Sequence, residues 1–303
     1  QRGSNIAILS DNCPQWLYAD LAAQGLGGRS VGIYQTNPPA DVRYILNHSR
    51  SSVLFCEDQE QVDKVLECGD TLEYLQHVVI FDPRGTRNYD DPRLHSWESF
   101  LSEGATLLES DAGWFDAKIE EMDVDAPAMV VYTSGTTGDP KGALLSSRNV
   151  LDLSGQVIPM LGLNANDTIL SYLPLCHVAE KIFSLFMPMM AGCTVHFGEA
   201  IDTVRQDLVE VSPTVFLGVP RIWEKMHASV ILKMSDSSWL KRFLFKWATS
   251  LGQRLALKGK EKTLWDRIQL RLADLLLFRP LQERLGLRNC RLPITGAAPI
   301  SPE

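Results

Sequence analysis

The chain has 303 residues, of which 45% are hydrophobic and 22% are charged, and its net charge at pH 7 is −8. This composition is that of an ordinary globular protein large enough for two packed units, and it excludes a disordered or collagen-like chain. The six cysteines are scattered without a Cys-x-x-Cys pair. The sequence therefore predicts neither a zinc knuckle nor a disulfide framework, and a reducing, cytoplasmic compartment fits it best.

Short apolar runs rich in β-branched or aromatic residues alternate with helix-compatible stretches along most of the chain. The runs expected to form strands are residues 5–9, 30–34, 52–56, 77–81, 128–132, 168–173, 193–197 and 214–219. Helices are expected at Pro14 to Gly25, Pro39 to His48 and Val204 to Val211. Strands that alternate with helices need crossover connections, which predicts an α/β fold of mostly parallel sheets covered by helices.

Two further stretches bear on the organisation of the chain. Residues 83–103 are polar and contain turn-forming residues, so they are the expected boundary between two subdomains, residues 1–100 and 105–303. The nearly uncharged run from Ile182 to Gly198 is slightly shorter than a membrane-spanning helix and is interrupted by Pro188 and Gly192. This run is expected to form a buried core helix followed by a strand.

A basic segment follows in the last third of the chain. Between Lys225 and Arg291 there are fifteen Lys and Arg against five Asp and Glu, a local charge of +10 that leaves −18 on the remainder. Apolar residues recur there at three- and four-residue spacing, which predicts a helical insertion over residues 225–290. A solvated helical face packed on the core is the simpler interpretation. Peripheral contact with an anionic membrane is the alternative, whereas the acidic remainder argues against nucleic acid as a partner.

The stretch YTSGTTGDPKGALLS, residues 132–146, combines hydroxyls, glycines and one proline with Lys141. A hairpin-like loop is expected here, because the runs before and after it both have strand character. Glycines let the backbone approach a ligand closely, and the free amides and hydroxyls of such a loop suit oxyanions. Since Lys141 is placed to reach a phosphate, the loop is expected to bind a polyphosphate, with ATP as the leading candidate. The spacing does not match a Walker A loop, and an ordinary surface turn is the alternative.

The same stretch resembles the phosphate-loop signature of the adenylate-forming superfamily, which includes acyl-CoA synthetases, luciferases and peptide-synthetase adenylation domains. Further stretches resemble long-chain fatty acyl-CoA synthetases in particular, and together they cover nearly the whole chain. They are residues 5–27, 44–58, 172–182 (YLPLCHVAEKI), 216–226 (FLGVPRIWEKM) and 292–301 (LPITGAAPIS). The resemblance implies that ATP and a long-chain fatty acid form an acyl-AMP with release of pyrophosphate, and that coenzyme A then displaces AMP. It also implies Mg²⁺ as a cofactor, and it identifies the chain as a partial N-terminal domain whose C-terminal domain is absent.

By this resemblance, two loops make up the nucleotide site. The phosphate cradle consists of Thr133, Ser134, Gly135, Thr136, Thr137, Gly138 and Lys141. Thr133 is also the expected metal contact, and Lys141 is expected to balance charge on the departing pyrophosphate. The adenine end is expected at Gly296, Ala297 and Ala298, where small residues let a base lie against the backbone. Taken alone, this second loop is equally typical of a turn at the end of a strand.

His177 is the expected catalytic partner of Lys141. By the resemblance, it lies near the acyl carboxylate and the reacting phosphate, where it can stabilise developing charge. A lone histidine beside an apolar helix is more often a core residue, so the assignment depends on the matched PLCHVAE around it. His177 and Glu180 have a spacing that a metal pair could use, but the sequence shows no third ligand and predicts no zinc site.

Several features have a simpler structural explanation as well as a functional one. Phe216 and Val219 are candidates to line an acyl tunnel, but both are equally typical of a core. GRSVG at residues 28–32 matches a serine-hydrolase elbow centred on Ser30, yet a strand follows where the elbow needs a helix. The chain ends before the family's Y-G-x-T-E segment, so it is expected to be inactive alone. A nonenzymatic nucleotide-binding or membrane-surface module is therefore the alternative to an enzyme.

Overall fold

The structure is a computed structural model and describes residues 2–133, 138–258 and 263–296. The chain divides into two compact units. The first comprises Gln1–Ala165 and Ser171–Cys193, and the second comprises Asn166–Leu170 and Thr194–Glu303. The predicted boundary between residues 100 and 105 is wrong, because a strand that follows it pairs with a strand that precedes it in the same sheet.

The first unit alternates strands with helices. Its described strands are β1 (Asn5–Leu9), β2 (Arg29–Ile33), β3 (Ser51–Cys56), β4 (His77–Ile80), β5 (Leu94–Ser96), β6 (Pro127–Thr133) and β7 (Lys141–Ser146). Its described helices are α1 (Pro14–Gly25), α2 (Pro39–Ser49), α3 (Gln59–Cys68), α4 (Trp97–Ser110), α5 (Trp114–Glu120), α6 (Ser147–Leu161), α7 (Val178–Lys181) and α8 (Met187–Ala191). A π-helical segment (Ile182–Phe186) joins α7 to α8, and a 3₁₀ turn (Gly69–Thr71) follows α3.

The strands of the first unit form one sheet in the order β5-β4-β3-β1-β2-β6-β7. Neighbouring strands are parallel except β6 and β7, which form an antiparallel hairpin. In the parallel part, the crossovers between successive strands place helices on the faces of the sheet, except between β4 and β5, where the described connection has no helix. Because β2 pairs with β6, the carboxyl ends of these two parallel strands meet at one edge.

Helices cover both faces of this sheet. On one face, α2 and α3 contribute Val42 and Val62 to a core shared with the strands. On the other face, Met129 of β6 packs with Val150 of α6 and with Leu185 of the π-helical segment. Both faces of the sheet are therefore buried, as expected for parallel strands with apolar residues at successive positions.

The second unit contains a smaller sheet and the basic helices. Its described strands are β8 (Thr168–Ser171), β9 (Thr194–Phe197), β10 (Val215–Gly218) and β11 (Leu292–Thr295), in the order β11-β10-β8-β9. β10 is parallel to both of its neighbours. The described helices are α9 (Val204–Val211), α10 (Pro220–Ser235), α11 (Trp239–Leu257), α12 (Leu264–Ala273) and α13 (Arg279–Leu285). A second π-helical segment (Asp274–Phe278) joins α12 to α13.

The fold predicted from the sequence is confirmed in its main features. The protein has two mostly parallel sheets covered by helices, and each predicted strand and helix is present. The run from Ile182 forms the buried π-helical segment, then α8 and then β9, as predicted. The described part of the segment from residue 225 to 290 is mostly helical and comprises the end of α10, then α11, α12, the second π-helical segment and α13. Within the described residues, no helix has the length and apolar character needed to cross a membrane.

Candidate active site

Thr133 and Lys141 are directly paired residues of the hairpin formed by β6 and β7. The predicted hairpin-like loop is therefore confirmed, with the glycine- and hydroxyl-rich stretch between these two residues. Ser134, Gly135, Thr136 and Thr137 lie outside the described residues. Gly138 has φ of +101°, in the left-handed region that favours glycine, and a Cβ built there would meet nothing within 4 Å. Glycine is thus favoured at position 138 because of the backbone conformation, and not because neighbouring atoms would exclude a side chain.

Helix α2 holds both ends of this loop. The hydroxyl of Tyr44 donates a hydrogen bond to the carbonyl oxygen of Pro140 at 3.1 Å. One turn later, Nδ1 of His48 lies 2.8 Å from the hydroxyl of Tyr132, the residue before Thr133. The rings of Tyr44 and His48 stack with their centroids 5.3 Å apart, and burial raises the pKa of Tyr132 to about 12. The entry and the exit of the loop are therefore tied to one face of the same helix.

His177 caps the amino-terminal end of α7. Its Nδ1 accepts a hydrogen bond from the backbone amide of Ala179 at 3.2 Å. In the neutral ring the proton is then on Nε2, which is the nitrogen left to donate to a ligand. The His177 side chain is exposed. The alternative of a satisfied core histidine is therefore excluded.

Asn12, which follows β1, fixes the loop that carries His177. Its amide nitrogen donates to the hydroxyl of Ser171 at 2.9 Å and to the carbonyl oxygen of Leu173 at 2.7 Å. Its amide oxygen accepts from the backbone amide of Leu175 at 3.0 Å. Three hydrogen bonds from one side chain thus hold the backbone between β8 and α7.

Glu180 supports the same loop from inside the protein. Its carboxylate accepts hydrogen bonds from the hydroxyls of Ser171 at 2.9 Å and Ser184 at 2.7 Å. The side chain is buried, and this burial raises the pKa of the Glu180 carboxyl to about 7, although the two hydroxyls and nearby backbone amides oppose the rise. Because Glu180 is buried and His177 is exposed, the two do not form the metal pair that their spacing allows.

Strand β2 lies directly against the residue that precedes His177. A Cβ built on Gly32 would be 2.7 Å from both Cα and Cβ of Cys176. Only glycine allows this approach without a shift of the backbone. Burial raises the pKa of the Cys176 thiol to about 12, so this group packs and does not act as a thiolate nucleophile.

One cavity brings the hairpin and the His177 loop together. Its volume is about 450 Å³. It is lined by Gly32, Tyr34, Asn37, Asp41, Ile45, Val131, Tyr132, Thr133, Pro140, His177 and Val178. The predicted site residues Thr133 and His177 therefore line the same cavity. Lys141 directly follows Pro140, which also lines it. The Thr133 hydroxyl and the His177 imidazole are donors that this lining offers to an anionic ligand, while Asp41 adds a carboxylate to the same lining.

A family profile described as AMP-binding enzyme matches residues 1–303. The chain belongs to the AMP-binding enzyme family. The resemblance drawn from the sequence motifs is thus confirmed at the level of the family.

Proteins similar to this AMP-binding enzyme include long-chain-fatty-acid–CoA ligases. ACSBG2 of Homo sapiens is 33% identical over 312 residues, which are 100% of this chain and 45% of that protein. ACSBG1 of Macaca fascicularis is 31% identical over 315 residues, which are 100% of this chain and 42% of that protein. The chain therefore spans less than half the length of these curated relatives.

Solved structures share the fold of this AMP-binding enzyme. The adenylation domain of a carboxylate reductase from Mycobacterium chelonae superposes with a TM-score of 0.62 at 20% sequence identity. The match covers 100% of this chain and 44% of the chain in that structure. The A-PCP didomain of carboxylic acid reductase from Segniliparus rugosus, in complex with AMP, superposes with a TM-score of 0.61 at 21% sequence identity. The match covers 100% of this chain and 40% of the chain in that structure. These likenesses establish the fold of an adenylation domain's N-terminal region.

Ser30 does not serve this AMP-binding enzyme as a nucleophile. It is buried within β2, where its hydroxyl accepts from Nζ of Lys181 at 3.2 Å. The same ammonium pairs with Asp20 at 2.7 Å and lies 4.8 Å from the ring centroid of Trp16. Ser30 is therefore part of a buried ion-pair network, and the serine-hydrolase elbow is excluded.

The predicted adenine loop is described only at its first residue. Gly296 follows β11 in the second unit, and a Cβ built there would meet nothing within 4 Å. Ala297 and Ala298 lie outside the described residues. Phe216 of β10 is fully buried with its ring centroid 5.4 Å from that of Trp223, so it belongs to the core.

The sequence did not point to the residues that hold the site in place. Asn12, Tyr44 and His48 lie far along the chain from the loops that they contact, and none of them belongs to a motif with a known chemical role. Glu180 carried a signal, since a glutamate in an apolar helix needs a partner when it is buried. Within the described residues, no group of three or more His, Cys, Asp or Glu could hold a metal ion, so the predicted Thr133 contact has no carboxylate cluster beside it.

Proposed function

We propose that the whole protein is a long-chain-fatty-acid–CoA ligase. In the first step, a carboxylate oxygen of the fatty acid attacks the α-phosphorus of ATP, and the bond to pyrophosphate breaks. In the second step, the thiol of coenzyme A gives up its proton to solvent and its sulfur bonds to the acyl carbonyl carbon, while the bond from that carbon to the phosphate oxygen breaks and AMP leaves with the bonding electrons. The observation that most supports this proposal is the cavity lined by Thr133, Pro140 and His177.

The first step brings two anions together, so the site has to hold both in line and offset their charge. In the proposal, the ammonium of Lys141 offsets charge on the departing pyrophosphate. The amides and hydroxyls from Thr133 to Gly138 bind the β and γ phosphates, and Nε2 of His177 donates to the developing charge at the acyl phosphate. Gly296, Ala297 and Ala298 are proposed to lie against the adenine ring.

A Mg²⁺ ion fits this site as an ion held mainly by phosphate. The Thr133 hydroxyl at the cavity wall is a hard oxygen ligand, and Mg²⁺ commonly takes few protein ligands while keeping waters and phosphate oxygens. When bound, the ion would neutralise charge on the phosphate oxygens. Coenzyme A as acceptor and a long acyl chain as donor are proposed from the names of the similar ligases.

The cytoplasm is the proposed location of the protein, as predicted from its cysteine pattern. All six cysteines are free thiols. Burial raises the pKa of the Cys56 thiol and, to about 12, that of Cys176, which keeps both protonated at neutral pH.

The test is pyrophosphate release by the full-length protein with ATP, Mg²⁺ and fatty acids of increasing chain length. We expect release with long-chain acids, and we expect Lys141→Ala to lower kcat/KM about a hundredfold, the usual loss for one preorganised charge. Lys118→Ala is the matched control, because Lys118 is a half-buried lysine on α5 whose partner is Glu121, and it should retain full activity. Tight ATP binding without pyrophosphate release at any chain length would instead identify a nonenzymatic nucleotide-binding module.

A further inference from the structure

Helix α12 and the π-helical segment after it have two apolar faces. One face packs into the protein: Leu270, Ala273, Leu277 and Phe278 join Ala248, Leu251 and Leu255 of α11 in one core cluster. The other face is exposed, and its residues are Leu264, Trp265, Ile268, Leu272, Leu275 and Leu276. Their three- and four-residue spacing places them along one side of the helix. We call these six residues the exposed stripe.

The side chains of the exposed stripe are accessible to solvent over a large fraction of their surface. Leu264 is 76% exposed and Trp265 is 65% exposed. Single exposed apolar residues need no explanation, but a continuous row of six along one helix marks a surface that binds something.

Cations border the stripe. Arg267 and Arg271 are exposed and lie one turn apart, and the exposed Arg279, which pairs with Glu283 at 3.6 Å, follows at the start of α13. Of the acidic residues in this part of the chain, Asp266 is buried and forms an ion pair with Lys258 at 3.1 Å, so its charge is compensated. Asp274 is the exposed carboxylate between residues 263 and 279. The border of the stripe is therefore positive.

The start of α11 carries a second set of exposed apolar residues. Trp239, Leu240 and Phe243 are exposed there, beside the exposed basic residues Lys241, Arg242 and Lys246. A groove of about 190 Å³ joins this part of α11 to the stripe. Its apolar wall includes Leu244 and Leu276, and Lys241 and Arg284 contribute the cations of its lining.

We infer that the exposed stripe rests on an anionic lipid surface. An interfacial helix of this kind buries its apolar side chains at the boundary of the acyl chains while its basic residues meet lipid phosphates. Indole rings suit that boundary, because they combine a large apolar area with one polar group. The inference concerns adhesion to a surface, and it stands apart from the reaction proposed above.

The charge of the surrounding segment distinguishes this partner from others. The segment between Lys225 and Arg291 carries a net +10, so two copies meeting through this face would bring like charges together. Nucleic acid would match the charge but would leave the leucines of the stripe without apolar contact. An anionic bilayer satisfies both the apolar row and its basic border.

The test is flotation of the full-length protein with vesicles of phosphatidylcholine alone and with vesicles that also contain phosphatidylserine. Neither ATP nor fatty acid is added, so failure of the proposed reaction does not affect the result. We expect binding to the phosphatidylserine vesicles, with loss of binding as salt is raised. Replacing the apolar pair with Trp265→Gln and Ile268→Gln should weaken partitioning by at least about tenfold.

A second variant does not depend on apolar residues that the fold might require. Arg267→Gln with Arg271→Gln changes only exposed charges, and each change should weaken partitioning on the order of fivefold and flatten the salt dependence. The matched control is Leu107→Gln with Leu108→Gln, two exposed leucines of α4, a helix whose charged side chains are glutamates. This control should bind vesicles as the wild type does.

Three results would overturn the inference. One is wild-type protein that does not float with phosphatidylserine vesicles. Another is equal flotation of the wild type and both stripe variants. The third is a change of oligomeric state in the stripe variants without a change in flotation, which would identify a second copy of the chain as the partner.

Discussion

At the scale of single residues, Tyr44 positions the phosphate loop through one hydrogen bond and one ring contact. The change Tyr44→Phe removes the donor to the Pro140 carbonyl and keeps the ring that stacks on His48. One net hydrogen bond contributes about 1 kcal/mol, so we expect the KM for ATP to rise about fivefold. The KM for the fatty acid should stay unchanged, because the loop contacts only the nucleotide in the proposed function. Initial rates with each substrate varied in turn measure both constants.

Tyr18→Phe is the control for this prediction. Tyr18 is an exposed tyrosine of α1, and its replacement should leave both constants unchanged. An equal rise of both KM values in Tyr44→Phe would show a general loss of structure instead of a displaced loop.

Glu180 makes the stability of the protein depend on pH. Its pKa is raised from 4.5 to about 7, chiefly by burial, so the folded protein binds a proton that the unfolded chain releases between these values. The contribution of Glu180 to the free energy of unfolding is therefore fully present below pH 4.5 and is lost as the pH rises to 7. At about 1.4 kcal/mol per pKa unit, the loss is about 3 kcal/mol. The change Glu180→Gln should remove this dependence, which urea unfolding at pH 5 and pH 8 measures.

The comparison for Glu180 is Glu103→Gln. Glu103 is an exposed glutamate of α4, so its replacement should leave the difference in stability between pH 5 and pH 8 as in the wild type. If Glu180→Gln also keeps that difference, the carboxyl is already ionised in the folded protein and its burial is compensated by Ser171 and Ser184.

At the scale of elements, the contact between β2 and the His177 loop depends on the absence of one side chain. Gly32→Ala would place a Cβ 2.7 Å from the backbone of Cys176. We expect a loss of about 1–3 kcal/mol in the free energy of unfolding, the usual range for overpacking. We also expect a lower kcat, since the shifted residue precedes His177. Urea unfolding and steady-state rates measure the two effects.

Gly104→Ala provides the matched glycine change. Gly104 lies inside α4, and a Cβ built there would meet nothing within 4 Å. This variant should gain about 0.5–1 kcal/mol from helix propensity and keep its activity. Equal behaviour of the two variants would contradict the crowding that the structure shows at β2.

Much of the fold could be predicted from local patterns. Strand and helix positions follow from apolar periodicity, and β1, α1 and α9 have the predicted bounds. The unit boundary could not be found this way, because the polar stretch at residues 83–103 indicates a surface connection without saying which strands pair. Pairing of β6 with β2 is a long-range choice that local composition does not record.

The candidate site was predictable only in part, for a similar reason. The hairpin at Thr133 and Lys141 follows from two apolar runs around a glycine-rich loop, which is a local pattern. The exposure of His177 depends on how the chain packs, and the three hydrogen bonds of Asn12 cross more than half of the chain. Residues that position a loop leave no spacing signal, since they act on whichever backbone lies next to them in space.

At the scale of the whole molecule, central and edge strands shield their backbones to different degrees. β1 lies between two strands, and its last three residues are buried. β9 stands at the end of the second sheet's order, with exposed and half-buried residues alternating along it. An edge strand exposes one row of backbone groups to solvent, so its hydrogen bonds open more readily than those of a central strand.

Backbone hydrogen exchange should therefore separate the edge strand β9 from the central strand β1. Opening free energies run from near zero at frayed edges to the global value in core strands, so amides of β9 should exchange at least about a hundredfold faster than those of β1. β3 is flanked by β1 and β4, and it should exchange as slowly as β1. Mass spectrometry of peptides that cover each strand in the full-length protein measures these rates. Equal protection of β9 and β1 would mean that the second sheet opens only with global unfolding, and its edge would then need a covering element.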